Sequence, residues 1–360
     1  MSAAIINAKW IVANPREGVY DWALLDKKIS DWTGSRDPNK DTPKKIFIRL
    51  ATYEQDPLTV EECKNYGSDC RAGDNSGNPP WIYGKGVPRI TFVCGGVCKG
   101  EKTVSVPQVW DPRFIAAYGE FIEALGAHYN NDKRVAGFLP GFGHLGTMNA
   151  QPSKGGAVAF FQAGWTVEKW RDYIEDVIDL SERHLAKRLM VRTPGKFLEN
   201  VEGTSFKLRD HLDIARAVLK YSAERDISIL FHGLNPNEEQ YKEAAIPELV
   251  AYLGSLNIRS ASFAVGFDDD WPLWVPDDRA NECPGSTCGR NILGFEKELK
   301  EAFAAWDSSA RKYPIFFAFL EPEASATNPN NRGKFDKQGN EIFRQDVYNL
   351  LVKELSGALR

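Results

Sequence analysis

The segment Ile315-Phe316-Phe317-Ala318-Phe319-Leu320-Glu321-Pro322-Glu323 ends a run of large apolar residues on two carboxylates. A run so short, entered through Pro314, predicts a strand buried on both faces. Acids delivered at the C-terminal end of such a strand are the groups a parallel barrel uses for acid–base or nucleophilic chemistry. A second acidic cluster, Asp268-Asp269-Asp270, follows another apolar run through Gly266-Phe267. Acid–base or nucleophilic chemistry of this kind uses one protonated carboxyl and one ionised carboxylate facing each other across a cleft. Glu321 is the first candidate, with Asp268, Glu323 or Glu54 as its partner and Asp268 preferred. The bland readings are a solvated loop for Glu323 and a hydrated or calcium-binding loop for the aspartates.

Other residues at the ends of apolar runs are polar or aromatic. Arg49 and Arg192 can orient a carboxylate or receive an acidic sugar, and equally can form structural ion pairs with the glutamates. His144 and Asn149 lie in Pro140–Asn149, and His232 follows Ser228–Phe231. A histidine there can exchange protons or hold a hydroxyl group. Trp81, Trp110, Trp271 and Trp274 lie in loop-like sequence, where tryptophan stacks on sugar rings or packs loops. The expected substrate-binding set is therefore Arg49, His144, Asn149, Arg192, His232, Trp81 and Trp271.

Alternating strand and helix patterns must carry these groups. Candidate strands cover Ile5–Trp10, Lys45–Leu50, Arg89–Val93, Val135–Leu139, Arg188–Arg192, Ser228–Phe231, Ala261–Val265 and Ile315–Leu320. Candidate helices cover Tyr20–Trp32, Asp111–Tyr129, Val167–Leu185, Leu208–Arg225, Glu239–Leu256, Phe295–Lys312 and Gln345–Leu359. Phe114, Ala117, Tyr118, Phe121, Ile122 and Leu125 form the buried stripe of the second helix. Eight strands alternating with helices and no compositional break predict one α/β domain over residues 1–360, a (β/α)8 TIM barrel. Residues 52–112 are expected to be a long cysteine-containing loop insertion after the second strand; Arg89–Val93 is the one strand candidate inside it.

Composition narrows the function. The 360-residue chain carries a net charge of −4, which disfavours a nucleic-acid partner, and no apolar run is long enough for a membrane span. Neither a glycine-rich phosphate loop nor a nucleophile elbow is present, so no cofactor is expected. Six cysteines fall in three close pairs, Cys63 with Cys70, Cys94 with Cys98, and Cys283 with Cys288. Local pairing would pin three loops and place the protein outside the cytosol, its leader removed. A zinc site at Cys94 and Cys98 is the rival reading; no pair has a two-residue gap and no histidine is near.

Trp10, Asn14-Pro15-Arg16-Glu17-Gly18-Val19-Tyr20-Asp21-Trp22 and Leu25-Asp26 resemble the opening of clan-A (β/α)8 glycoside hydrolases, the beta-galactosidase-like branch above all. Ile46-Phe47-Ile48-Arg49-Leu50 is similar to their second strand. Pro80-Trp81, Val106–Phe114 and Arg134–Phe138 continue the resemblance in the same order. It implies a secreted glycosidase acting on a poly- or oligosaccharide. One departure is plain. The family's acid/base glutamate follows the fourth strand, and Gly143-His144-Leu145-Gly146-Thr147-Met148-Asn149 holds no carboxylate. The seventh strand, where the family places its nucleophile, is followed here by aspartates. A catalytically silent barrel that binds glycans or serves as an extracellular structural subunit is therefore the alternative.

Overall fold

The computed structural model describes residues 2–52, 57–94, 102–143, 146–148, 154–193, 208–232, 263–267 and 315–320, with single positions at 248–249, 252, 255–256, 332–333, 345 and 349. Its strands are β1 (Ser2–Lys9), β2 (Lys44–Ala51), β3 (Arg89–Cys94), β4 (Lys102–Pro107), β5 (Val135–Leu139), β6 (Arg188–Arg192), β7 (Ser228–His232), β8 (Phe263–Phe267) and β9 (Ile315–Leu320). The helices are α1 (Trp10–Ala13), α2 (Ala23–Thr33), α3 (Val60–Cys63), α4 (Trp81–Gly84), α5 (Pro112–Tyr129), α6 (Lys154–Gln162), α7 (Val167–His184) and α8 (Leu208–Ala223).

Among the described residues, seven strands form one parallel sheet in the order β1-β2-β5-β6-β7-β8-β9. The sheet closes where β9 returns to β1 through the pairs Ala4↔Phe319 and Ile5↔Leu320. Among the described residues the ring therefore holds seven strands where eight were expected. Arg89–Val93 lies outside the ring, pairing antiparallel with β4 from Arg89↔Pro107 to Cys94↔Lys102, and β2 pairs directly with β5. The burial pattern gives the reason. Ile90, Phe92 and Cys94 are buried while Thr91 and Val93 are exposed, as in a ribbon covered on one face. A strand in a parallel barrel is covered on both, as β2 is from Lys45 to Ala51.

The segment after β2 is likewise built, not structureless. Its disulfide Cys63–Cys70 is formed, with Cα atoms 5.3 Å apart. Arg89 Nε donates to the buried Asp74 carboxylate at 2.8 Å, and its guanidinium lies 3.7 Å from the Tyr83 ring centroid. Cys94 is also disulfide-bonded; Cys98, Cys283 and Cys288 lie outside the described residues.

Local chemistry starts and stops the helices. Asp111 caps α5 by accepting the Arg113 N–H at 2.9 Å, with Pro112 at the first helical position. Thr166 caps α7 by accepting from the Lys169 N–H at 3.2 Å. Gly34 ends α2 at φ +71°, a left-handed conformation that glycine adopts without strain. The α5 stripe Phe114, Tyr118, Phe121, Ile122 and Leu125 is fully buried. It packs around Trp10, whose ring centroid lies 5.4 Å from Phe121 and 5.9 Å from Trp81. Trp10 thus opens α1 and centres the outer core; it does not end the first strand.

Inside the ring, Ile5, Phe47, Leu139, Met190 and Leu230 form a separate apolar cluster, one side chain from each of five strands. This plug makes the barrel interior a packed core. At the N-terminal end, Arg134 and Asp132 are both about 4% exposed and paired at 2.6 Å. Lys187 donates to the Val135 carbonyl at 2.7 Å there, and burial lowers its ammonium pKa.

Candidate functional site

Alternation along parallel strands decides what stands above the plug. Side chains two residues beyond Ile5, Phe47 and Met190 point the same way, and these are Asn7, Arg49 and Arg192. All three lie toward the C-terminal ends of their strands, the mouth where barrel chemistry resides. Arg49 is 6% and Arg192 2% exposed. Arg49 Nε donates to Asn7 Oδ1, tying β2 to β1 at the register pair Asn7↔Arg49. An apolar floor therefore carries a polar layer with two buried guanidinium groups. Buried arginine demands anionic or carbonyl acceptors, because a guanidinium offers donors only and stays charged.

A cavity of about 380 Å³ opens beside β1. Ile5, Asn7 and Lys9 line it from the inward alternation of β1, and Ile6, Ala8, Ala13, Leu24 and Leu25 from the outward side; Asp21 and Lys28 add charge. β9 ends level with Ile5. Leu320 pairs with Ile5, and the four residues from Ile6 to Lys9 run on past the end of β9 while still paired with β2. In the sequence, Glu321 comes directly after Leu320. Asp268 comes directly after Phe267, whose register partner is Phe319. The two acids thus follow neighbouring strand ends.

The segment after β5 is pinned over this mouth. Tyr118 Oη donates to the Gly141 carbonyl at 3.3 Å. The Phe142 carbonyl accepts from Thr52 Oγ1 and from Tyr173 Oη, each at 2.8 Å. Trp170 Nε1 donates to the Met148 carbonyl at 2.9 Å. A Cβ at Gly141 or at Gly146 would stand 2.4 Å from the Leu50 carbonyl oxygen, so both must be glycine for the segment to lie on the end of β2. Burial drives the Tyr118 hydroxyl pKa far up, keeping it a neutral donor.

Of the residues singled out from sequence, the structure brings Arg49 and Arg192 to one layer. His232 is the last residue of β7, paired with Gly266. Glu321, Asp268, Glu323, Glu54, His144, Asn149, Trp271 and Trp274 lie outside the described residues. Trp81 offers no open stacking face. It is 8% exposed, stands edge-on to Trp10, and donates Nε1–H to the Asn14 carbonyl at 3.1 Å. Trp110 is equally buried, against Phe160 and Trp170. Asn7 and Lys9 were missed. Their signal is the alternation Ile5, Asn7, Lys9, where an inward-facing strand position turns from apolar to polar.

No family model matches the chain, and no curated protein matches it. Three of the solved structures that share similarity are the following. A GH5_18 protein from Bifidobacterium longum subsp. infantis is 9% identical at TM-score 0.47, covering 99% of this chain and 70% of its own. A GH10 endoxylanase retrieved from a sugarcane soil metagenome is 10% identical at TM-score 0.43, covering 96% and 85%. The CBM22-1–GH10 modules of Clostridium thermocellum endo-1,4-beta-D-xylanase 10B, complexed with xylohexaose, are 10% identical at TM-score 0.40, covering 85% and 52%. None of the three is a basis for assigning chemistry to this chain.

Proposed function

We propose that the protein is a secreted carbohydrate-active barrel that hydrolyses glycosidic bonds in a poly- or oligosaccharide at the C-terminal mouth of its sheet. The observation that carries this reading is the polar layer above the apolar plug. Asn7, Arg49 and Arg192 stand there, Asn7 also lining a ligand-sized cavity, and two strand ends lead in sequence to Glu321 and Asp268. Glu321 and Asp268 are the proposed carboxylate pair, with Glu323 in reserve, and His144, Asn149, His232 and Trp271 the proposed sugar contacts. A carboxyl separation of about 5 Å would set a retaining course and roughly 6.5–9.5 Å an inverting one. The disulfide Cys63–Cys70 supports an oxidising compartment. Among the described residues no helix is long and apolar enough to cross a membrane.

A second reading has one specific observation in its favour. The segment Pro140–Asn149 contains no carboxylate, and Gly141, Phe142 and Met148 within it are held by hydrogen bonds from Tyr118, Thr52, Tyr173 and Trp170. A barrel that binds glycans without cutting them fits that absence. Hydrolysis of a panel of neutral and acidic oligosaccharides by the full chain and by Glu321→Gln separates the two. The hydrolase reading expects turnover that falls by several orders of magnitude in the variant, with glycan binding kept. Binding without turnover in the parent selects the silent barrel, and unchanged turnover in Glu321→Gln removes Glu321 from the chemistry.

A further inference from the structure

We infer that Lys9 is a ligand-binding residue of the barrel mouth, its ammonium donating to an oxygen of the glycan, either a ring hydroxyl or a ring-borne carboxylate. The inference rests on the carbohydrate reading above and deepens it to one side chain. Its ground is the inner column of β1. Ile5, Asn7 and Lys9 alternate onto the inner wall, and exposure climbs along them. Ile5 is buried, Asn7 half-buried, and Lys9, the last residue of the strand, exposed. The outward column does not climb: Ile6 and Ala8 stay buried. Solvent therefore reaches the end of β1 on its inner side, and Lys9 is the side chain that stands there.

Nothing in the fold uses that side chain. Among the described residues the Lys9 ammonium makes no ion pair or hydrogen bond, and it does not cap α1 although Lys9 directly precedes that helix. Its row neighbour on β2 is Ala51, and β9 ends four residues earlier, level with Ile5. Neither neighbouring strand contains an acid. Cations at the opposite end of the strands are committed to structure: Lys45 donates to the Lys133 carbonyl, Lys187 to the Val135 carbonyl, and Arg134 pairs with Asp132. Arg49, one row below Lys9, donates to Asn7. A lysine offers three donors and no acceptor, so the group that matches Lys9 is a ligand oxygen. Asn7 and Lys9 both line the cavity of about 380 Å³ beside β1, a volume in the range of small-ligand sites. Lys9 is not one of the carboxylates proposed to cut the glycan, and its part is affinity.

Lys9→Met keeps the length of the side chain and removes its donors, and Lys9→Arg keeps a cation. Calorimetric titration of the full chain and of both variants with neutral oligosaccharides and oligouronates of equal length reads the contact. Lys9→Met should bind about tenfold more weakly, the ratio expected of one charge-assisted hydrogen bond, with Lys9→Arg restoring most of the affinity. Where the parent turns the glycan over, the loss should fall on KM with kcat nearly kept. A difference between parent and Lys9→Met that shrinks with added salt identifies a carboxylate, and one that persists identifies a hydroxyl. The urea midpoint should stay in place, because Lys9 ties nothing in the fold. Weaker binding accompanied by a lowered midpoint assigns Lys9 to structure and overturns the inference. Equal binding by parent and Lys9→Met overturns it as well and leaves the carbohydrate reading standing. A parent that binds no glycan of either series removes the reading beneath it too.

Discussion

The Phe142 carbonyl gives the sharpest test of how the mouth is held. It is buried and accepts two hydroxyl hydrogen bonds at 2.8 Å, one from Thr52 at the exit of β2 and one from Tyr173 on α7. Thr52→Val and Tyr173→Phe each delete one donor with little change of shape. Each single variant should lose about 0.5–1.5 kcal/mol, the net worth of one hydrogen bond whose acceptor keeps a second partner. The double variant strips the carbonyl bare in a site closed to water, and an unsatisfied buried acceptor costs a further ~1–3 kcal/mol. The two changes should therefore be non-additive, with a coupling of about 1 kcal/mol or more. Urea unfolding of the four proteins at neutral pH measures it. Additivity within about 0.3 kcal/mol would show that the shared carbonyl does not join β2 to α7. On the proposed carbohydrate reading the double variant should also bind glycans more weakly, because Phe142 loses its seat.

Two further outcomes follow from features already described. Replacing Cys63 and Cys70 by serine should lower stability by about 2–3 kcal/mol for a loop this short, read as a shift in the urea midpoint; no shift would mean that α3 is held without its covalent tie. The Asp111 carboxyl is held below its ordinary pKa, first by the Arg113 guanidinium and then by the Arg113 backbone N–H. A depressed acid stabilises the fold above its unfolded pKa, and that gain is lost as pH falls through the folded value. The advantage of the parent over Asp111→Asn should thus hold at pH 7 and vanish well below pH ~4; a constant gap across that range in paired melts would exclude the ion pair as its source.

Most of the ring was legible because two-sided burial writes itself plainly. Lys-Ile-Phe-Ile-Arg-Leu and Ile-Phe-Phe-Ala-Phe-Leu can hardly be anything but covered strands, and the α5 stripe keeps helical spacing for four turns. The third strand candidate was misplaced because position in an expected alternation outweighed composition. Arg-Ile-Thr-Phe-Val alternates polar with apolar, the mark of a ribbon with one wet face. Trp10 was legible as apolar but not as a helix start, since four residues carry no measurable period. Trp81 looked like loop because Pro79-Pro80 precede it; the partner that buries it, Trp10, is remote in sequence. Arg49 and Arg192 stood out as charges at the ends of apolar runs. Asn7 and Lys9 did not, because their meaning depends on which face of β1 turns inward.

The ring also has a seam. Among the described residues β1 is joined to β2 over eight register pairs, and to β9 over two. Chain connectivity sharpens the contrast: pairing with β9 closes a loop of roughly 300 residues, pairing with β2 one of roughly 40, and the entropic difference is about 2 kcal/mol. The β1–β9 junction is thus the contact that closes the longest loop, and among the described residues it is as narrow as the two-pair β5–β6 junction, so the last step of folding is expected there. Ile5 to Lys9, which line the cavity, form one side of that seam. A ligand seated against them, as the carbohydrate reading expects, should be felt first as slowed hydrogen exchange along β1.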